Sequence, residues 1–147
     1  MSIPRFWREI ESRYNLVGTE CGSCGTIDFP PRTICPKCGR KSLGRMERVK
    51  LCGQGTVVSY TVVHQVPKGF ESVKPYILAV VELKEGARLT SQIIDCDPPD
   101  MSIGMPVEAT FRKLGEDGAS GVIHYGYKFR PVIVAPDPLA GDQDPKT

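Results

Sequence analysis

The chain has 147 residues, 40% of them hydrophobic and 24% charged, which is enough for one ordinary domain or for a small metal-stabilised module joined to a compact partner. Its longest apolar run, residues 76–81, is far shorter than the roughly 20 residues that a membrane-spanning helix requires. The net charge of +2 divides into +5 for residues 1–52 and −3 for residues 53–147, so the second part lacks the basic character of a nucleic-acid-binding domain.

The cysteine content points to a reducing compartment. Six cysteines occur in a chain that has no basic and apolar leader segment at its start. We therefore expect a cytoplasmic protein whose thiols bind metal instead of forming a disulfide framework.

Residues 1–15 predict a short N-terminal helix that ends near Asn15. Its apolar side chains recur at helical spacing: Ile3, Phe6, Trp7, Ile10 and Tyr14. One interpretation is that this stripe packs on the rest of the chain. The alternative is a docking helix, because aromatic residues such as Phe6 and Trp7 often dominate protein interfaces.

Residues 16–52 contain two C-x-x-C pairs, each followed by a glycine, and the four cysteines are Cys21, Cys24, Cys35 and Cys38. This spacing is typical of a zinc ribbon, in which two tight turns present four thiolates to one Zn²⁺ ion. Four protein ligands leave no open position, so the predicted zinc is structural. A thiol–disulfide function is the weaker alternative, since it needs one pair at the start of a helix.

Residues 53–133 predict five β-strands and a compact barrel. The strands begin with the β-branched run 56–66 and continue with 76–83, 87–94, a strand that places Val107, Ala109 and Phe111 on one face, and 122–127. The longest connection separates the third strand from the fourth, which favours a five-stranded OB-fold barrel; an SH3-like barrel is the structural alternative. Residues 134–147 have little apolar content and predict a flexible tail.

The fold class expected from these patterns is mainly β, with a short N-terminal helix, a rubredoxin-like zinc ribbon and a C-terminal OB-fold barrel. Within the barrel, we expect His64 and His124 to pack along strands instead of acting as catalytic bases. Cys52 and Cys96 have no partners at ligand spacing and are expected to be small buried residues.

The connection between the first two barrel strands, residues 66–75, is a candidate ligand contact. It contains Lys68, Phe70 and Lys74, and an aromatic ring between two lysines would suit an adenine ring and its phosphates. An ordinary solvated loop explains the same residues equally well.

The order of these motifs resembles the zinc-ribbon/OB-fold acyl-CoA-associated family across residues 5–131. The resemblance rests on the Phe-Trp helix, the two cysteine pairs with Phe29-Pro30-Pro31-Arg32 between them, Gly53-x-Gly55-Thr56-Val57, Ser59 to His64, Pro75-Tyr76, the turn from Glu82-Leu83 to Gly86, Gly104-Met105-Pro106-Val107 and Phe129-Arg130-Pro131. Each motif is modest alone, but their ordered combination is specific.

The resemblance implies a non-catalytic scaffold subunit of a thiolase-superfamily complex that handles acyl-CoA. In archaea, a similar protein bridges acetoacetyl-CoA thiolase and hydroxymethylglutaryl-CoA synthase in the mevalonate route of isoprenoid biosynthesis, and it lets the intermediate pass between them. CoA shared with a partner would then be a possible ligand of this chain. A nucleic-acid-binding zinc-ribbon/OB protein is the alternative function, which the acidic second part disfavours.

Overall fold

The computed structural model describes residues 3–65, 74–116 and 118–133, and the chain is mainly β, as predicted. Two short helices are followed by a small three-stranded sheet and a five-stranded barrel. The helices and strands are α1 (Ile3–Arg8), α2 (Ile10–Asn15), β1 (Val17–Cys21), β2 (Ile27–Asp28), β3 (Met46–Lys50), β4 (Gln54–Val63), β5 (Tyr76–Leu83), β6 (Arg88–Ile93), β7 (Pro106–Glu116) and β8 (Ile123–Pro131). Short 3-10 turns lie at Arg40–Ser42 and Pro98–Asp100.

The N-terminal helix is broken into two parts at Glu9, where the backbone has φ −107° and ψ 6°. The second part ends at Asn15, as predicted, because Leu16 takes the left-handed conformation. The packing interpretation holds for Tyr14, whose ring meets Phe111 edge-on at 5.0 Å between centroids. Trp7 is instead 68% exposed, and the Phe6 side chain falls outside the described part. Neither described helix is long and apolar enough to cross a bilayer.

The small sheet has the order β2-β1-β3 and is antiparallel throughout. Thr19 in the central strand faces Asp28 on one side and Arg48 on the other. Cys21 ends the central strand opposite Met46. This sheet therefore carries the first cysteine pair at the end of β1.

The barrel closes in the order β4-β5-β6-β8-β7. Its neighbours are antiparallel except β6 and β8, which pair in parallel at one position, Ile93 with Phe129. A third strand that pairs in parallel with the fifth is the connectivity of an OB fold, so the SH3-like alternative is wrong.

Alternating residues of the strands fill the barrel. In β5 every second residue from Ile77 to Leu83 is buried, which is the period that a pleated strand dictates. Val81, Val107 and Phe129 are fully buried at the centre. The same apolar cluster includes Leu16 and Leu51, so the residues that precede the barrel share its core.

Two predictions about isolated residues of the barrel region are wrong. His64 is exposed, because β4 ends one residue earlier. Cys52 is also exposed, since it lies in the connection between β3 and β4 and not on a strand. By contrast, His124 lies half-buried in β8, and Cys96 is partly buried against the core, as expected.

Candidate metal centre and the neighbouring cleft

The four cysteines of the two C-x-x-C pairs lie together. Their sulfur atoms are all within 4.8 Å of one another, and the Sγ atoms of Cys24 and Cys35 are 3.6 Å apart. A tetrahedral zinc ion with Zn–S bonds of about 2.3 Å needs sulfur atoms about 3.8 Å apart. The donor set therefore fits one zinc ion, which Cys21, Cys24, Cys35 and Cys38 would hold.

Tight turns present each pair to the common centre. The amide of Gly25 donates to the carbonyl of Cys21 at 2.7 Å, and the amide of Gly39 donates to that of Cys35 at 2.9 Å. Both glycines have positive φ, +67° and +55°, a conformation that residues with a Cβ atom adopt only with strain. The glycine after each pair, noted in the sequence, is thus required by the backbone.

A serine that sequence reasoning missed supports the second turn. The hydroxyl of Ser42 accepts a hydrogen bond from the amide of Cys35 at 2.8 Å and donates one to the carbonyl of Gly39 at 2.6 Å. Ser42 is fully buried, so these bonds satisfy a polar group that would otherwise be costly to bury. Its only sequence signal is its position four residues after Cys38, which no zinc-ribbon pattern requires.

Hydrogen bonds shift the pKa values of two thiols of the cluster in opposite directions. Thr26, whose hydroxyl oxygen lies 3.2 Å from the sulfur, lowers the pKa of Cys24 to about 6. The hydrogen bond with Cys24, followed by burial, raises the pKa of Cys38 to about 12. Crowded thiols thus compete for protons in the metal-free cluster, and a divalent ion would replace those protons as the positive charge. Four protein ligands fill the coordination sphere, so the site fits a structural role.

The candidate CoA contacts are separated from this centre in the chain. Lys68 and Phe70 lie outside the described residues. Lys74 is exposed and stands two residues before β5. Among the described residues, the four cysteines are the one group of potential ligands that meets metal-binding distances, so neither His64 nor His124 joins the cluster.

An open cleft of about 670 Å³ lies between the helices, the ribbon and the barrel. Its barrel wall includes residues 90–92 of β6 and 126–128 of β8, next to the one position where these two strands pair, Ile93 with Phe129. Arg8 and Arg13 line it from the helices, Phe29 from the loop after β2, and Tyr127 and Lys128 from β8. Of these residues, only Phe29 belongs to a motif noted in the sequence. The others could not be identified from the sequence, because the cleft forms only when distant segments meet.

Aromatic rings connect the parts that surround the cleft. Phe29 meets Tyr127 edge-on at 5.5 Å between ring centroids, and Tyr127 meets the core residue Phe129 at 6.2 Å. Phe111 stacks on Tyr125 at 5.4 Å and also contacts Tyr14 of α2. Such contacts contribute about 0.5–1.5 kcal/mol each beyond the area that they bury. We call the contact between Phe29 and Tyr127 the ribbon–barrel junction.

Comparison with protein-family models gives two adjacent matches. Residues 8–44 match the rubredoxin-like zinc ribbon domain of ChsH2, and residues 48–112 match the C-terminal OB-fold domain of ChsH2. The two matches follow the order of the cysteine cluster and the barrel along the chain.

Individual relatives agree with these matches. A DUF35 domain-containing scaffold protein of Methanocaldococcus jannaschii is 55% identical over 130 residues, which cover 88% of this chain and 91% of the relative. The benzoylsuccinyl-CoA thiolase subunit BbsA of Thauera aromatica is 29% identical over 117 residues, 80% of this chain and 76% of that one. Among solved structures, an Ltp2-ChsH2(DUF35) aldolase chain superposes with a TM-score of 0.64 at 35% identity, covering 86% of this chain and 90% of that one.

Proposed function

The chain belongs to the DUF35 family, and from that premise we propose that it is a non-catalytic scaffold subunit of a thiolase-superfamily complex that acts on acyl-CoA. The observation that carries this proposal is the 55% identity to a DUF35 scaffold protein across 91% of that protein's length. One more distant relative is named as a thiolase subunit, and the similar solved structure is a ChsH2 assembly with an aldolase. Both names associate a similar chain with an enzyme, and the thiolase subunit supports acyl-CoA chemistry for that enzyme.

The geometry of the chain suits a non-catalytic subunit of an enzyme complex. The cysteine cluster offers a closed coordination sphere, so its zinc would shape a surface instead of activating a substrate. Trp7 is 68% exposed on α1, and large aromatic residues of this kind often anchor protein interfaces. The docking interpretation of the N-terminal helix is therefore favoured for Trp7.

The more specific form of the proposal is that the chain bridges acetoacetyl-CoA thiolase and hydroxymethylglutaryl-CoA synthase in the mevalonate route. The condensation catalysed by the thiolase is thermodynamically unfavourable, so its product must be consumed to pull the reaction forward. A bridge would raise the effective concentration of that product at the second active site. CoA would be shared with a partner near residues 66–75, where Lys74 is exposed.

The test is reconstitution of the complex. The chain, the thiolase and the synthase from one organism are co-expressed and their mass is measured by light scattering after size-exclusion chromatography. We expect one complex that contains all three proteins. Trp7→Ala should weaken assembly by roughly tenfold or more, whereas Ile103→Ala, which removes an equally exposed side chain from the connection before β7, should not.

Two further readouts sharpen this test. CoA retained by the complex should fall in Lys74→Gln and stay unchanged in Lys84→Gln, since both lysines are exposed but only the first adjoins residues 66–73. Elution of the chain alone, with salt-sensitive binding to single-stranded RNA, would contradict the scaffold function and favour the nucleic-acid alternative.

A further inference from the structure

In the part of the chain that the structure describes, the cleft beside the ribbon–barrel junction contains a cation that no carboxylate pairs with, Lys128. Lys128 is half-buried on the outer face of β8, and burial, with the nearby Arg112 adding to it, lowers its pKa. Arg112 itself pairs with Asp95, its guanidinium nitrogen lying 3.7 Å from the carboxylate. The ammonium group of Lys128 is thus partly desolvated beside another cation, an arrangement that an anion would relieve.

The carboxylates that line the cleft pair with arginines and do not neutralise the positive charge of Lys128. Arg13 pairs with Glu9 at 2.7 Å between Nη2 and Oε2, and Arg48 pairs with Glu11. Within residues 3–65, 74–116 and 118–133, neither Arg8 nor Lys128 forms an ion pair with a carboxylate. After the two internal pairs are counted, the lining of the cleft retains two positive charges.

The rest of the lining is suited to a small organic molecule. Phe29, Leu78 and Leu114 supply apolar wall, and Thr90 and Gln92 supply polar groups from β6. The volume of about 670 Å³ falls within the range of about 300–1,000 Å³ that is usual for small-molecule sites. A volume of this size suits a compact ligand.

We propose that this cleft binds a small organic anion with an apolar body, whose carboxylate or phosphate head contacts Lys128 and Arg8 while its body lies against Phe29 and Leu114. The lining that carries the proposal comes from this chain and contains none of the four cysteines. It therefore goes beyond the scaffold function and does not depend on it.

Binding to the zinc-loaded full chain tests the proposal, with octanoate, octyl phosphate and octanol as probes of equal chain length. Isothermal calorimetry gives the affinity, and backbone amide shifts locate the site. We expect both anions to bind, to shift the amides around Thr90 and Gln92, and to weaken as salt is raised. Octanol should bind at least about tenfold more weakly because it lacks the charge. The relative affinities of octanoate and octyl phosphate identify the preferred head group.

Variants separate the cleft from general surface binding. Lys128→Gln should weaken octanoate about tenfold, and Arg8→Gln should weaken it less because Arg8 is exposed. Lys84→Gln is the matched control, since this exposed lysine lies outside the cleft lining. Thr90→Trp should block binding without changing any charge.

Several results would overturn the proposal. Equal affinity for octanoate and octanol would show that the negative charge does not contribute to binding. Equal effects of Lys128→Gln and Lys84→Gln would show that binding does not take place in the cleft. Saturable binding of an acidic peptide with no binding of either octyl anion would assign the cleft to a protein segment instead. Because assembly with enzymes is measured separately, failure here leaves the scaffold proposal intact.

Discussion

The ribbon, which comprises β1 to β3 and the cysteine cluster, and the barrel, which comprises β4 to β8, obtain their stability from different sources. In the ribbon, the fully buried side chains are Cys21, Cys35 and Ser42, which belong to the cysteine cluster or support it. In the barrel, they are apolar residues such as Val81 and Phe129. The ribbon has too little apolar surface to hold itself together, so its fold depends on metal, whereas the barrel depends on burial of apolar area.

The two regions nevertheless meet through a shared surface. Leu16 and Leu51, from the two ends of the ribbon, belong to the apolar cluster of the barrel. Phe29 contacts Tyr127 at the ribbon–barrel junction. Unfolding of one region should therefore lower the stability of the other without unfolding it. The boundary at residue 53 thus predicts that the two regions can unfold separately, and variants in each region test this.

The largest effect is expected from removing a zinc ligand. Cys35→Ser leaves three thiolates, and structural zinc contributes on the order of 10 kcal/mol of apparent folding free energy. We expect zinc content to fall from one ion per chain to nearly none, the ribbon to unfold and complex assembly to be lost, while the barrel strands stay folded at a lower melting temperature. Metal analysis with circular dichroism measures these changes.

Cys52→Ser is the matched control for that variant, because Cys52 is exposed and outside the cluster. It should keep its zinc and its melting temperature. Complete loss of the β signal in Cys35→Ser would contradict the independence of the barrel. Retention of one tightly bound zinc in the same variant would contradict the ligand assignment.

A smaller effect, from the barrel side, is expected for Phe129→Ala. Phe129 is fully buried where β6 and β8 pair, and truncation of a core phenylalanine costs about 3–5 kcal/mol. Phe111→Ala is the control, because Phe111 is about half exposed and should cost less. Urea denaturation measures both. Equal costs would contradict the role of burial at Phe129. Loss of zinc in Phe129→Ala under native conditions would show that the two regions unfold as one unit.

The smallest effect concerns the ribbon–barrel junction at alkaline pH. Burial raises the pKa of Tyr127 above its ordinary value of 10, although Arg13 opposes the shift. The neutral phenol is thus favoured in the folded state, so its contribution to stability is complete below pH 10 and is lost as the pH rises through the higher folded pKa. The free energy of unfolding should fall less steeply above pH 10 in Tyr127→Phe than in the wild type; parallel curves would contradict this.

Much of the metal site was predictable because its chemistry is local. The spacing of each cysteine pair and the glycine after it define a turn, and such a turn presents two sulfur atoms wherever it occurs. Ser42 was not predictable, since its bonds to Cys35 and Gly39 depend on how the second turn closes. The candidate CoA contacts remain predictions, because Lys68 and Phe70 lie outside the described residues.

The sequence by itself determined the order of helix, ribbon and barrel, because hydrophobic period and ligand spacing are read over a few residues. Only the tertiary structure decided the parallel pairing of β6 with β8, the break at Glu9 and the exposure of Cys52. The cleft at the ribbon–barrel junction is of the same kind: its charge and walls come from segments more than 100 residues apart, such as Arg8 and Lys128. Contacts of that separation depend on how the chain closes, and no local pattern encodes them.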